Sequence, residues 1–178
     1  MSKEDYQRFL EKDRKALEIT RKRPKLIGDD IWKFQRLMRK LEYINNCKGI
    51  MYKPYFFYLK YKYRNLSHKL GFSIPINVFD EGLSIAHTGT IVINPKTKIG
   101  KNCRIHVCVN IGGTKEDVPQ LGDNIYIAPG AKLFGGITIA DGTKIGANSV
   151  VNKSFLEPNT TIVGVPAKVV RKEKLIAQ

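Results

Sequence analysis

Between residues 93 and 151 the chain keeps a six-residue beat, and few folds can satisfy it. Aliphatic residues fall at Ile93, Ile99, Ile105 and Ile111, each six apart. The beat resumes at Leu121, Ile127, Leu133, Ile139, Ile145 and Val151. It misses at Glu157 and returns at Val163 and Val169. Small or turn-compatible residues such as Gly100, Gly112, Gly122, Ala128 and Gly146 follow directly. Four places after the aliphatic, a small or branched residue recurs, as at Cys103, Val109, Ile125, Ala131, Thr143 and Ser149. A period of six suits neither a helix, at 3.6, nor a strand, at 2. It suits a prism in which each short strand makes one flat side, the aliphatic points inward and a small residue turns the corner. Three sides make one coil, and coils stack through parallel ladders about 4.8 Å apart. Residues 72–170 therefore predict about five coils, a prism roughly 24 Å tall. The step from Ile111 to Leu121 is ten residues, so the polar stretch from Gly113 to Gln120 is expected to loop out from a corner.

Residues 1–71 obey a different rule. Tyr6–Ile19 has apolar residues at Tyr6, Phe9, Leu10 and Leu17, which reads as a helix. Pro24 and Gly28 interrupt. Asp29 or Asp30 is expected to cap a second helix with the stripe Ile31, Phe34, Leu37, Met38, Leu41 and Ile44, ended by Gly49. A third segment, Tyr52–Leu70, interleaves aromatics with basic residues. Three units are expected: the helical region 1–71, the prism 72–170 and a tail, 171–178.

Charge divides the chain in the same way. The net charge is +15. Residues 1–70 carry 19 Lys and Arg against 8 Asp and Glu, or +11, and the remainder carries 12 against 8, or +4. The basic half suits anionic partners, while the bland alternative is a solvated helical surface. For the aromatic helix, packing on its neighbours comes first, a membrane surface second and nucleic acid a distant third. No apolar run reaches the roughly 20 residues of a bilayer span, and the charged opening lacks the apolar core of a signal peptide. Three cysteines, Cys47, Cys103 and Cys108, lack metal-ligand spacing. Reduced thiols in a cytoplasmic protein, with contact to a membrane left open, fit best. Cys103 and Cys108 are expected in the interior.

The stretches GLSIAHTGTIVINPKTKIG (82–100), VNIGGT (109–114), IAPGAKLFGGITIADGTKIGANSVV (127–151) and VGVPAKVV (163–170) resemble the hexapeptide-repeat acyltransferases, in their serine acetyltransferase branch. The resemblance implies a mainly β fold, a left-handed parallel β-helix with a small helical N-terminal region, against the usual right-handed crossover. It implies a homotrimer with acetyl-CoA in the grooves between prisms. No metal site is expected from the residues, because the two coil histidines lack enough partners. It carries the role of catalytic base to His87. It places Gly113, Thr114, Ala128, Gly146, Ala147, Lys153 and Lys168 along the acetyl-CoA path. Where serine acetyltransferases have two Asp residues and a His, this chain has Phe72, Ala86 and Val118. Those departures, with the short basic N-terminal region, point away from free serine. They point to a sugar hydroxyl, on a lipid-linked or polymeric saccharide of surface polysaccharide biosynthesis. Serine O-acetylation in cysteine biosynthesis is the alternative, and a non-catalytic scaffold is a further one.

The residues support such chemistry directly. An alcohol needs a base to take its proton as it attacks, and imidazole suits neutral pH. His87 and His106 are 19 residues apart, almost one coil, so adjacent rungs can bring them together. His87 is in phase with Ile93 and Ile99, so a core position is its competing reading. Gly82 and Gly89 favour an outward ring. His106 has either a purely structural place or one at the acceptor. No Ser, Cys or Lys has the setting of a covalent nucleophile.

Overall fold

The computed structural model describes residues 2–114 and 116–172. Three helices precede a parallel β-solenoid. These are α1 (Lys3–Ala16), α2 (Asp30–Cys47) and α3 (Lys53–Leu70). Ser2 and Asp5 form a reciprocal capping box at the start of α1. Asp29 precedes α2 but does not cap it. Its carboxylate instead accepts hydrogen bonds from Arg21 and from the Lys25 backbone N–H. Gly71, with φ of 79°, ends α3 in the left-handed conformation that glycine adopts without strain.

The solenoid has three flat sides. The first comprises β1 (Phe72–Ser73), β3 (Ile91–Ile93), β6 (Val109–Gly112), β9 (Lys132–Phe134) and β12 (Val150–Val151). The second comprises β4 (Lys98–Ile99), β7 (Gln120–Leu121) and β10 (Thr138–Ile139). Single bridges extend it to Phe79 and Phe155. The third stacks β2 (Ser84–Ile85), β5 (Arg104–Ile105), β8 (Tyr126–Ile127), β11 (Lys144–Ile145) and β13 (Thr160–Gly164) in parallel. An antiparallel strand, β14 (Ala167–Lys172), then closes it. Five rungs result, as the beat predicts.

The inward register is a set of aliphatic columns. Ile85, Ile105, Ile127, Ile145 and Ile162 lie side by side on the third side. Ile93, Ile111, Leu133 and Val151 do so on the first. All of these are buried, as are Cys103, Val109, Ile125, Ala131, Thr143 and Ser149, the residues four places on. Each coil thus fills the interior from two positions per side.

Four details differ from the sequence reading. The beat does not return at Val163 and Val169. Phe155 and Ile162 take the inward places, and Val169 lies exposed on β14, because the last pairing is an antiparallel hairpin. Cys108 is exposed, with Cys103 alone of that pair inside. The corner conformation falls three places after the aliphatic rather than one. Asn102, Asn124 and Asn148 all have φ between 54° and 57°, and Cys108 has 59°. Asparagine tolerates this left-handed conformation better than most residues. The small residue directly after the aliphatic serves close approach: a Cβ on Gly100 would lie 2.7 Å from the Gly122 backbone. Finally, the tail of 171–178 lies mostly outside the described residues.

The helices are joined to the first coil by buried polar contacts. Arg39, fully buried, is paired with Asp13 at 2.8 Å and Glu42 at 3.0 Å. It also donates to the carbonyls of Phe79 and Asp80. Asp13 accepts from the backbone N–H groups of Gly82 and Leu83. Burial opposes the charge on Arg39, but the two carboxylates outweigh it and raise its pKa. Gln35 donates to the Leu83 carbonyl at 2.7 Å. The strand leading to His87 is therefore held from outside by α1 and α2.

Candidate active site

The corner that follows the third side gathers most of the residues singled out by sequence. The residue after each inward isoleucine gives the column Ala86, His106, Ala128, Gly146 and Val163. Backbone bonds of 2.9–3.1 Å link its members, from Ala86 N–H to the Ile105 carbonyl up to Gly146 N–H to the Ile162 carbonyl. One residue on lie His87 and Ala147, both exposed. Lys168, on β14, pairs with Val163 at the far end of the column. Ala128 and Gly146, the next two members of the column after His106, carry little or no side chain.

His87 points outward. Its competing place in the core is taken by Ile85, which lies in register with Ile105. Gly89, with φ of 136°, turns the chain back there, and its N–H donates to the Leu70 carbonyl. The two histidine rings lie on adjacent rungs with centroids 5.9 Å apart. On its other side, His106 lies 5.2 Å from the ring of Tyr126. The Nε2 of His106 is buried without a protein partner among the described residues. Burial lowers the His106 pKa, and the nearby charges of Arg104 and His87 lower it further.

Gly113, Thr114 and Lys153 lie elsewhere. They occupy the corner that follows the first side, across one face of the prism from His87. Gly112 lies beside Phe134 in the ladder there. The polar insert begins at this corner, and Thr114 bridges to Asp117 within it. A Cβ on Gly113 would collide with the Asp117 carbonyl, so this turn needs glycine. Within one chain the expected acetyl-CoA residues thus form two groups on two edges. Sequence spacing missed this because both corners share the same beat. It also missed Tyr126, whose signal was its six-residue step from the insert-side Gln120. Among the described residues, no three His, Cys, Asp or Glu side chains gather as a metal set.

No protein-family model matches the chain. Ninety-five residues are 41% identical to a serine acetyltransferase of Staphylococcus epidermidis, covering 51% of this chain and 44% of that protein. A serine acetyltransferase of Staphylococcus aureus is 40% identical over the same length. The chain thus spans less than half the length of these curated relatives. Among solved structures, soybean serine acetyltransferase apoenzyme superposes with a TM-score of 0.73 at 25% identity, covering 94% of this chain and 69% of that one. The Neisseria gonorrhoeae serine acetyltransferase in complex with serine gives 0.72 at 27%, covering 96% and 71%.

These likenesses correct the expectation of a sugar hydroxyl and of polysaccharide biosynthesis: the relatives are serine acetyltransferases. The packing explains how the departures misled. Phe72 is buried, edge-on to Phe34 at 5.0 Å, and Val118 is buried within the insert. Both side chains answer to the interior, so their apolar character does not report on an acceptor. The fold is the hexapeptide-repeat solenoid that these structures share.

Proposed function

We propose that this chain is an acetyl-CoA-dependent serine O-acetyltransferase. The observation that carries the reading is the exposed His87, its ring 5.9 Å from that of the half-buried His106, in line with the small residues Ala128 and Gly146. His87 takes the proton of the serine hydroxyl as its oxygen attacks the thioester carbonyl carbon. The carbon–sulfur bond breaks, and the thiolate of CoA leaves and recovers the proton. O-acetylserine and CoA result, and His87 returns to its neutral form. Backbone N–H groups near Gly112 and Gly113 are the candidates to receive the developing oxyanion.

The two-edge distribution fits an assembly. In a homotrimer, the edge bearing Gly113, Thr114 and Lys153 of one prism faces the edge bearing His87, Ala128, Gly146, Ala147 and Lys168 of the next. Acetyl-CoA would lie in the groove between them, its phosphates within reach of the lysines. His106 takes the acceptor-positioning role. From His87 to Ala147 the column spans three rung spacings, about 14 Å, which suits an extended pantetheine arm.

Thiol release from acetyl-CoA with L-serine tests the reading. Turnover in the ordinary enzymatic range, about 1–10³ per second, is expected. A protein that binds CoA but releases no thiol with L-serine overturns the acceptor. Failure to bind CoA at all overturns the activity and leaves a scaffold.

A further inference from the structure

Helix α3 has two opposed faces, and only one is used within the chain. Leu59, Tyr63, Ser67 and Leu70 turn inward, at steps of three and four, and are buried. The Tyr63 ring stacks on Phe34 at 4.9 Å, and its hydroxyl donates to the Ile74 carbonyl at 2.6 Å. The opposite stripe is Phe57, Tyr61, Arg64 and His68, again at steps of four and three. Phe57 is 62% exposed and Tyr61 66%. Lys53 and Lys60 flank the stripe on one side. Tyr58, with Lys62 over its ring at 5.4 Å, flanks it on the other.

Charge and position give this face a direction. From Tyr43 to Phe79 the chain has six Lys and Arg and no Asp or Glu. Apolar side chains also stand free at both ends of the helix. Ile50 and Met51 are exposed just before it, Met51 at 89%. At the other end, Lys69 pairs with Asp30 at 2.7 Å and brings up the start of α2. There Leu26, 95% exposed, and Ile27 follow the basic run Arg21, Lys22, Arg23 and Lys25. The helix between these tips is about 27 Å long.

We propose that the outer face of α3 is a docking surface for an anionic lipid bilayer, with the helix lying in the plane of the headgroups. Tyr and Phe favour that level, where one end of the ring is apolar and the other wet. Lysines beside them keep their stems on the apolar side and their ammonium groups among the lipid phosphates. A second copy of the same face would bring Lys53, Lys60, Lys62 and Arg64 against their own counterparts, which repels. Single-stranded nucleic acid needs a groove that tracks its backbone over several nucleotides, whereas the cavity beside this face, about 360 Å³ and lined by Ile50, Tyr52, Lys53 and Phe57, is confined to the first turns of the helix. A basic aromatic face with apolar tips matches an anionic membrane in both charge and depth. No helix among the described residues is long and apolar enough to cross a membrane, so the contact lies on the surface. The inference does not depend on the proposed acetyl transfer.

Flotation of the full chain with phosphatidylcholine vesicles, and with vesicles one-third phosphatidylglycerol, tests it. The protein should float with the anionic vesicles at low salt, less at high salt, and not with the neutral ones. Lys60→Gln and Arg64→Gln should each lower binding about five-fold. Phe57→Ser with Tyr61→Ser should lower it about ten-fold. No flotation with anionic vesicles, or equal flotation of all variants, overturns the proposal. So does a fall in the light-scattering mass of the Phe57→Ser, Tyr61→Ser protein, which would assign the face to contact between copies. Thiol release in solution should be unchanged in every variant. Its loss in these alone would move the face into the active site, whereas its absence from the wild type bears only on the acetyl transfer.

Discussion

The prism and the helical region solve the same problem, burial of a core, by opposite means. Each rung of the prism repeats its neighbour: Ile85, Ile105, Ile127, Ile145 and Ile162 do one job five times. Stability there is a sum of similar nearest-neighbour contacts. The helical region relies on contacts made once, above all the Arg39 cluster with Asp13 and Glu42. The difference follows from where a solenoid is weak. Its interior rungs cover each other, but its ends do not and need a cap. At one end the strand β14 doubles back antiparallel. At the other, α1 and α2 cover the first coil and supply partners for the backbone of Phe79, Asp80, Gly82 and Leu83. The helices are thus the lid of the prism on their inner side and carry the basic, aromatic surface on their outer side.

The sharpest way to break this division of labour is His87→Ala. If the chemistry lies on the prism edge, kcat for thiol release should fall about 10²–10⁴-fold. Because His87 is exposed, the thermal melt should stay near that of the wild type. A large loss of stability would instead return His87 to the structural role.

Next in size is Arg39→Ala. Removing one partner from a buried charge cluster typically costs about 3–5 kcal/mol. Urea denaturation should show that loss in a single transition, since Arg39 bonds both to helices and to the first coil. Two transitions, with only one displaced, would mean that the two regions fold independently. A smaller loss, about 0.5–1.5 kcal/mol, is expected for Ile105→Val in the middle of its column. The same change at Ile127 should cost a similar amount, and a wide disparity would argue against additive rungs.

The smallest effect concerns pH. The folded pKa of His106 lies below the ordinary histidine value, so near that value the unfolded chain binds a proton that the folded chain does not. Stability should therefore fall as pH drops through the ordinary value of about 6.5 toward the lower folded one, and be level above it. Urea midpoints measured across that window should flatten in His106→Gln. A midpoint that rises on acidification would reverse the sign and remove the case for a lowered His106 pKa.

Much of this protein was legible because its information is local and repeated. Ten aliphatics at steps of six prescribe the prism, the rung count and the adjacency of His87 and His106, since a ladder converts sequence spacing directly into contact. The corners were legible in principle too. Asn102, Asn124 and Asn148 advertise left-handed backbone, while the glycine directly after the aliphatic serves close approach of the rungs. The tertiary structure alone decided the rest. The Arg39 cluster joins residues 26 to 41 places apart with no shared pattern, and an arginine in a helix reads as solvated until its partners are seen. The two edges that carry Gly113 and Gly146 share one repeat, and only the winding of the coil places them on different corners. The apolar residues at 72 and 118 looked like an altered acceptor site because sequence records polarity without direction. A side chain's meaning depends on which way the backbone points it, and that is fixed by the coil above and below.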